Sequence, residues 1–314
     1  MNPTDQTKSI FKKLDLEISA IEQIPTYQDT VLKIDADKTY YIKFFAKDPW
    51  LCQKVVSLTK LMQKHDIPVP KIVDYELDNY VLTEAAEGET LTEAKKHLSK
   101  QEINVLFRDF GRVLGRIHEI TFDKFGDTID GKNVTISKEY GAGPFDTWKE
   151  FHDAIVAHRL SYFEHTPFSH LVPKIKAYFD NSKLLDFKAT PRLLHIDLNQ
   201  KNIFVKDNKI SCIIDFDGAF IGHNEEELMR TASANFDNKE LEDHFFLGYQ
   251  EHIRLDEGYQ ERRPFYYLSR LLVHIDCIIK FDTYKKDYDV EVENMEQEIQ
   301  RIIDGKKLNF DKNK

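Results

Sequence analysis

The sequence predicts an α+β protein in which a small, sheet-rich N-terminal lobe precedes a larger, mainly helical C-terminal lobe. Before residue 85, runs of β-branched and aromatic residues alternate with short turns, a pattern typical of strands. After residue 100, apolar residues recur at helical spacing. The segment AAEGETL (85–91) connects the two regions. With 314 residues, 41% of them hydrophobic, the chain is long enough for one large domain or two lobes with a sizeable buried core.

The N-terminal region is predicted to combine strands with at least one helix. Segment 30–45 indicates two strands joined by a turn at 35–37, because β-branched and aromatic residues flank a short acidic stretch. Segment 51–65 has leucine, valine and methionine at helical spacing, which predicts a helix. Segment 67–85 indicates a proline-bounded turn followed by two more strands.

The C-terminal region is predicted to consist mainly of helices. Segment 103–120 is strongly amphipathic, with its apolar residues on or near one stripe. Further helices are predicted at 146–165, 170–180, 225–233, 238–252, 264–285 and 290–303. Within this helical half, segment 193–219 differs, because its two strongly apolar runs flank a polar loop and therefore predict strand, loop and strand.

The charge balance excludes several classes of partner. The formal net charge is −10, with 54 acidic and 44 basic residues. Nonspecific binding to nucleic acid or to an anionic membrane surface requires basic patches, so we expect neither partner. The balance is compatible with a cationic small molecule, although an acidic surface more commonly serves only solubility.

No targeting or membrane-spanning segment is expected. Segment 1–24 is polar and lacks the apolar core of a signal peptide. The apolar segment 271–281 contains an aspartate and is too short to span a bilayer. Cys52, Cys212 and Cys277 are far apart in apolar surroundings, which favours buried thiols over disulfides or metal ligands. We therefore expect a cytoplasmic protein, either a monomer or a homodimer.

The polar loop in LLHIDLNQKNIFVKDNKISCIIDFDGA (193–219) carries the chemistry. Residues His195 to Asn202 have the pattern H-x-D-x-x-x-x-N, and Asp215 follows after a turn. In this strand–loop–strand context the combination resembles the catalytic segment of the small-molecule branch of the protein-kinase-like fold. That branch includes the aminoglycoside phosphotransferases and the choline, homoserine and fructosamine kinases. The resemblance implies a bilobal protein-kinase-like fold, with residues 1–86 as the nucleotide-binding lobe and 87–314 as the helical lobe with the substrate site.

The resemblance assigns roles that agree with the chemistry of phosphoryl transfer. This reaction needs a carboxylate near the acceptor hydroxyl and hard oxygen ligands for Mg²⁺. Asp197 is accordingly the candidate base, Asn202 and Asp215 are the candidate metal ligands, and His195 is expected to orient the loop. Asp217 is a candidate for a supporting role near the metal or for a contact with the substrate. For the loop residues Asn199, Asp207 and Asn208, turn chemistry is the preferred interpretation.

The resemblance also implies a nucleotide-binding lysine. Lys43 is the lone charge inside an apolar strand and would hold the phosphates. The loop over the phosphates usually contains glycine, yet no glycine lies between residues 26 and 43. Side chains of segment 27–30, in particular Tyr27 and Thr30, are therefore expected to serve instead. ATP is the expected nucleotide, with GTP as the alternative.

The connector resembles the family's hinge between the lobes. Glu84 and Ala86 would offer backbone groups to the adenine, with Thr83 at the back of the pocket. Gly88 would allow the chain to turn into the helical lobe.

Two positions depart from the family pattern. Kinases usually place on the following helix a glutamate that pairs with the lysine, but segment 51–65 contains none, and Gln53 or Lys54 falls near that place. Asp48 or Asp215 are the expected replacements. Glu227 stands where the family has a helix aspartate, either as favourable charge at a helix N-terminus or as a substrate contact.

The sequence thus predicts a phosphotransferase that moves the γ-phosphoryl group of ATP to a hydroxyl of a small molecule, with Mg²⁺. Aminoglycoside-like, amino-alcohol and sugar acceptors all fit. One alternative is a weakly active or inactive nucleotide-binding protein, favoured by the missing glutamate and glycine loop. A protein kinase is a weaker alternative, because no Ala-Pro-Glu motif follows Asp215.

Overall fold

The computed structural model describes residues 2–26, 29–164, 166–280 and 288–306. The helices of these residues are α1 Pro3–Lys13, α2 Trp50–Lys64, α3 Leu91–Ala94, α4 Lys100–Glu119, α5 Trp148–Ser161, α6 Val172–Asn181, α7 Asn224–Asn235, α8 Lys239–Tyr249, α9 Tyr259–Lys280 and α10 Tyr288–Ile303. The strands are β1 Ala20–Ile24, β2 Thr30–Asp35, β3 Thr39–Phe44, β4 Ile72–Glu76, β5 Tyr80–Glu84, β6 Glu89–Thr90, β7 Arg192–Leu194, β8 Ile203–Lys206, β9 Lys209–Ile213 and β10 Phe220–Gly222.

The N-terminal lobe is built on one antiparallel sheet with the strand order β1-β2-β3-β5-β4. One face of the sheet is apolar, with Leu32, Ile34 and Ile42 buried against Ile10 and Phe11 of α1. Alternate strand residues point to opposite faces. The residues between those apolar positions, Lys43 among them, therefore face the other lobe.

Helix α2 joins the two lobes. Its buried residues Leu58 and Met62 belong to the same apolar cluster as Phe107, Phe110 and Leu114 of α4. Apolar packing is therefore continuous between the two lobes. The lobe boundary predicted between residues 86 and 87 stays a prediction.

The C-terminal lobe is helical and carries the predicted strand–loop–strand segment. Strand β7 pairs with β10, and β8 pairs with β9 and with β6 from the connector. The β8–β9 turn has positive φ at Asp207 (51°) and Asn208 (57°), which is the two-residue hairpin geometry that asparagine and aspartate tolerate. The turn chemistry predicted for these two residues is confirmed.

Helices are found in each segment where they were predicted, within the described residues. The bounds of α9 differ from the prediction. The prediction was 264–285, whereas the helix begins at Tyr259 and contains Pro264. The buried Tyr259 and an ion pair between Arg262 and Glu225 of α7 hold this extra turn in place. Tertiary contacts therefore override the proline start signal. The predicted residues 281–285 lie outside the described part of the chain.

In the described residues, none of the helices has the length and apolar character that a membrane crossing requires.

Candidate active site

The catalytic loop lies between β7 and β8 and is fixed from beneath by Glu227 of α7. The Glu227 carboxylate accepts hydrogen bonds from the backbone N–H of His195 (2.8 Å) and of Ile196 (2.6 Å). Ile196 has φ +73°, which is costly for a β-branched residue. The two hydrogen bonds from one buried carboxylate stabilise this strained turn.

Glu227 is itself fully buried and paired with His118 of α4. His118 Nε2 lies 2.8 Å from Glu227 Oε2, and His118 Nδ1 lies 2.8 Å from the hydroxyl of Tyr249. Burial alone would raise the pKa of Glu227, but the hydrogen bonds from His118 and from the His195 backbone lower it. The sequence offered favourable charge at a helix N-terminus or a substrate contact for Glu227; in the structure its carboxylate contacts the catalytic loop and His118, a supporting position that neither interpretation included.

His195 ties the catalytic loop to the segment that precedes Asp215. Its Nδ1 accepts from the Asp197 backbone N–H at 3.2 Å, and its Nε2 donates to the Ile214 carbonyl at 2.9 Å. These partners require the neutral tautomer with hydrogen on Nε2. The ring is buried against Phe216 and cannot reach a substrate. It is a positioning residue.

Asp197 presents an exposed carboxylate that two amides orient. Oδ1 accepts from Asn199 Nδ2 at 3.0 Å, and Oδ2 accepts from Asn202 Nδ2 at 2.9 Å. The sequence interpretation treated Asn199 as turn chemistry only. It does accept from the Lys201 backbone N–H, but it also positions the candidate base. The sequence signal for this role of Asn199 was its position in the same loop as the candidate base.

Asn202 and Asp215 offer oxygens with the chemistry that Mg²⁺ prefers. Asn202 uses Nδ2 to donate to Asp197, so its amide oxygen points away and accepts no hydrogen bond from the described residues. Asp215 follows β9 with φ +71°, and its side chain is 43% exposed. The backbone N–H of Ile214 donates to the Asn202 carbonyl and connects the two segments. Two hard oxygen donors are thus available for a magnesium ion.

Lys43 is shared by three carboxylates. It is hydrogen-bonded to Asp217, and its Nζ lies 3.3 Å from Asp29 and 3.7 Å from Asp215. Burial lowers the pKa of Lys43, but Asp217 and Asp215 outweigh burial and raise it. Burial raises the pKa of Asp217 and of Asp29 despite the nearby lysine. This part of the site carries an excess of negative charge.

The partner of Lys43 was only partly predicted. Asp215 does contact the lysine, whereas Asp48 is not among its ion-pair partners in the described chain. Asp29 and Asp217 take that role. Asp29 precedes β2, whose Val31 pairs with Lys43 in the sheet register. The sequence signal for the pairing of Asp29 with Lys43 was this acidic residue just before the strand that neighbours the lysine.

Helix α2, which contains no glutamate, contributes a buried cation. Lys54 is buried and pairs at 2.9 Å with Asp127, a residue of the C-terminal lobe. The positive charge of Lys54 also lowers the pKa of Asp217 against the effect of burial. The helix therefore contributes to the site through Asp217, and it joins the lobes by a buried ion pair.

A cavity of about 340 Å³ lies between the lobes. Its lining combines an apolar slot with polar groups at one end: Thr26, Val31, Tyr41, Lys43, Phe45, Val55, Thr59, Pro70, Val81, Thr83, Glu84, Ala86, Phe204, Ile214, Asp215, Phe216 and Asp217. Such a shape suits a flat, apolar ring system with a charged tail.

Most predicted nucleotide-side residues reach this cavity, but Thr30 does not. Val31 pairs with Lys43 in register and shares its face of the sheet, so the preceding Thr30 points to the opposite face. Thr30 is not among the residues that line the cavity, and its contact with the nucleotide stays a prediction. Tyr27 lies outside the described residues.

The connector leaves the backbone N–H of Ala86 open. Glu84 N–H donates to the Lys71 carbonyl and Ala85 N–H to the Thr39 carbonyl, but Ala86 N–H donates to none of the described residues. Gly88 follows with φ +93°, where a Cβ would clash with the carbonyl of Val205. The Glu84 side chain points to Lys38 and Lys71, and its N–H is used, so its backbone carbonyl is the group left for a ligand.

The fold and the site together define a small-molecule kinase. A sheet-rich lobe, a helical lobe, a cavity between them and an H-x-D-x-x-x-x-N loop with a following aspartate are all present.

The chain belongs to the phosphotransferase enzyme family, whose model matches residues 21–265. A probable ketoamine kinase of Enterococcus faecium is 26% identical over 221 residues, which cover 69% of this chain and 76% of that protein. The predicted family and fold are confirmed.

Solved structures share the fold. A candidate fructosamine-3-kinase from Thermobifida fusca aligns with a TM-score of 0.67 and 19% identity, over 94% of this chain and 98% of that one. The ternary complex of APH(2'')-IIa with streptomycin and ATP aligns with a TM-score of 0.68 and 18% identity, over 96% and 99%.

Proposed function

We propose that the protein transfers the γ-phosphoryl group of ATP to a hydroxyl of a small molecule, with Mg²⁺. The observation that carries this proposal is the Asp197 carboxylate, which is exposed and oriented by two amides. One of these amides, Asn202, belongs to the candidate metal ligands as well. Phosphoryl transfer is catalysed mainly by such positioning and by neutralisation of charge.

Asp197 receives the acceptor. Its carboxylate is positioned to accept a hydrogen bond from the substrate hydroxyl and to take its proton as the bond to phosphorus forms. Because Asn199 and Asn202 hold both of its oxygens in place, the carboxylate needs little reorganisation. His195 and Glu227 fix the backbone beneath it.

Asn202 and Asp215 would hold the magnesium, which neutralises negative charge on the nucleotide phosphates when bound. Asp217 supports this end of the cleft through its hydrogen bond to Lys43. The three carboxylates around Lys43 exceed the charge of one lysine, which favours divalent cations in this place.

The cavity between the lobes receives the nucleotide. Lys43 lies at its polar end, where phosphates would be bound, and Ala86 N–H and the backbone carbonyl of Glu84 lie at the opposite end for the base. Thr83 lines the cavity beside them. A relative of the same fold was solved with ATP, which favours ATP over the GTP alternative.

The acceptor is proposed to be a sugar-derived hydroxyl compound. Two comparisons, one by sequence and one by fold, name ketoamine or fructosamine kinases. The free thiols of Cys52, Cys212 and Cys277 are compatible with a reducing compartment.

The test is ADP release by the purified protein with ATP, Mg²⁺ and a panel of sugar, amino-alcohol, aminoglycoside and ketoamine acceptors. Turnover should occur with at least one acceptor and should fall roughly 10²- to 10⁴-fold in Asp197→Asn, because the base is lost. The thermal shift induced by ATP and Mg²⁺ should remain in this variant.

The matched control is Asp207→Asn, which makes the same change at the solvent-side β8–β9 turn and should leave turnover unchanged. A wild-type protein with no ADP release on any acceptor would contradict the proposal. If it still bound nucleotide, the alternative of an inactive nucleotide-binding protein would be favoured.

A further inference from the structure

Helix α7 runs along the catalytic loop and is attached to it at two points. Glu227 accepts the backbone N–H groups of His195 and Ile196, and Asn235 Nδ2 donates to the Leu198 carbonyl at 2.7 Å. Residues between these attachments on α7 therefore lie beside the segment that carries Asp197. Arg230 is one of them.

Arg230 is only partly satisfied by the protein. Its Nε lies 3.1 Å from Glu226, one turn earlier on the same helix, and its side chain is 11% exposed. The two Nη groups, which form the outer fork of the guanidinium, make no hydrogen bond with the described residues. Arg230 therefore retains the donors that recognise a carboxylate or phosphate in bidentate geometry.

Arg270 of α9 directly follows a residue that contacts the same glutamate. Helix α9 packs against α7, and Ser269 Oγ is 3.5 Å from Glu226 Oε1. The next residue, Arg270, is half-buried and makes no hydrogen bond or ion pair within the described ranges 2–26, 29–164, 166–280 and 288–306. Withdrawing an arginine from water without a partner is unfavourable.

The charges near Arg270 include the candidate base. Burial lowers the pKa of Arg270, and repulsion from Arg230 lowers it further. Asp197, Glu226 and Cys277 oppose this decrease. Asp197 is more than an ion-pair distance away, and both of its oxygens are already hydrogen-bonded. The two arginines thus repel each other beside the base, and an anion between them would relieve that repulsion.

The acidic residues that could have attracted a cation are used inside the protein. Glu225 pairs with Arg262, Glu226 with Arg230, and Glu227 with His118. All three glutamates are buried. These three glutamates are therefore not open to a cationic group of an acceptor.

We propose that Arg230 and Arg270 bind an anionic group, a carboxylate or a phosphate, on the acceptor whose hydroxyl is phosphorylated at Asp197. This assignment rests on the proposed function and names the chemistry that selects its substrate. The acceptor then carries two recognised ends, a hydroxyl at the base and an anion at the arginines.

The test uses acceptors that differ only in charge. The first pair is the fructose ketoamine of glycine and that of glycinamide, and the second is the ketoamine of phosphoethanolamine and that of ethanolamine. We expect kcat/KM to be at least tenfold higher for the anionic member of one pair, and the pair that shows the preference distinguishes carboxylate from phosphate.

Arg270→Gln should reduce kcat/KM for that anionic acceptor roughly 10- to 100-fold, mainly through KM, because a hydrogen bond to a charged group is lost. It should change kcat/KM for the neutral partner less than threefold. Arg270→Lys should recover part of the preference, since it restores the charge without the fork. The control is Arg254→Gln, which removes the same charge at an exposed position and should leave the preference unchanged.

Equal kcat/KM for the charged and neutral members of both pairs would overturn the inference, as would equal losses for both members in Arg270→Gln. If no acceptor is turned over, the proposed function fails, and the anion site is judged by calorimetry with inorganic phosphate alone. Wild type and Arg254→Gln should then bind phosphate and Arg270→Gln should not. Equal binding by all three, or by none, would overturn the inference.

Discussion

Two clusters of three carboxylates lie in this protein, and they differ in charge balance. At the cleft, Asp29, Asp215 and Asp217 share a single lysine. In the helical lobe, the consecutive glutamates 225–227 are buried and each has a cationic or histidine partner of its own. The cleft cluster has three carboxylates for one cation and lies open to a ligand, whereas each glutamate of the buried cluster has a protein side chain of its own as partner. The number of carboxylates that share one partner, and not acidity alone, separates the functional group from the structural one.

Neutralising a carboxylate of the cleft cluster should remove activity without loss of stability. Asp215→Asn should lower kcat roughly 10³-fold, because a magnesium ligand is lost, and should raise the Mg²⁺ concentration needed for half-maximal rate. The thermal midpoint should stay the same or increase, since fewer carboxylates then share Lys43. ADP release and thermal denaturation measure the two effects, and a decrease of the midpoint with activity retained would break the comparison.

Neutralising a carboxylate of the buried cluster should lower the stability of the fold. Glu227→Gln should lower the free energy of unfolding by about 3 kcal/mol, because His118 and two backbone donors lose a buried charge partner. Denaturant unfolding measures the loss. Glu251→Gln is the control, since Glu251 also pairs with cations, Arg108 and Arg112, but on the surface, and it should leave the midpoint nearly unchanged. Equal effects of the two substitutions would contradict the assignment.

Acidification should destabilise the buried region before it affects the cleft. Burial lowers the pKa of His152 to about 3, and it also lowers the pKa of His118 and of His223. Below the unfolded-state value of about 6.5 these histidines bind protons only on unfolding, so stability falls as the pH decreases from 6.5 toward the lower folded pKa. Glu227 adds no slope there, because its lowered pKa acts only below about pH 4.3.

The variant His152→Phe isolates one of these groups. His152 packs against Trp148, Phe179 and Phe265, and neither ring nitrogen has a partner in the described residues. Phenylalanine should therefore fit and should reduce the slope of unfolding free energy against pH by about 1.4 kcal/mol per pH unit between pH 6 and 4. Chemical denaturation at several pH values measures the slope, and an unchanged slope would show that His152 is not protonated on unfolding.

The smallest expected effect concerns Asp29. Asp29→Asn removes one of the three partners of Lys43, while Asp217 and Asp215 remain, so the KM for ATP should change by only about threefold to tenfold. The same change at Asp217, which is hydrogen-bonded to Lys43, should have a larger effect. Steady-state kinetics at varied ATP settle the order, and a larger effect of Asp29→Asn would make that residue the main partner of the lysine.

The catalytic loop could be predicted because its residues are local in sequence. Asp197, Asn202 and Asp215 lie within one strand–loop–strand segment, and the hydrogen bonds that join them span few residues. The strand that carries Lys43 was predictable for a similar reason, since the lysine is the lone charge in a local run of β-branched and aromatic residues. The face on which Thr30 lies could not be predicted, because the strand register, which puts Val31 opposite Lys43, is set by the neighbouring strand.

The sequence by itself determined the fold class, the order of the elements and the identity of the candidate base and metal ligands. The fold class depends on periodicity, and the candidate residues depend on a motif that is local in sequence and resembles that of a known family. Only the tertiary structure decided that Asp29 and Asp217 pair with Lys43, that Glu227 supports the loop, and that Arg270 has no hydrogen-bond or ion-pair partner in the described part of the chain. Those contacts join elements that are distant in sequence, as with Lys43 and Asp217, which are 174 positions apart. Which charges are balanced and which await a ligand is therefore established only when the lobes and helices pack.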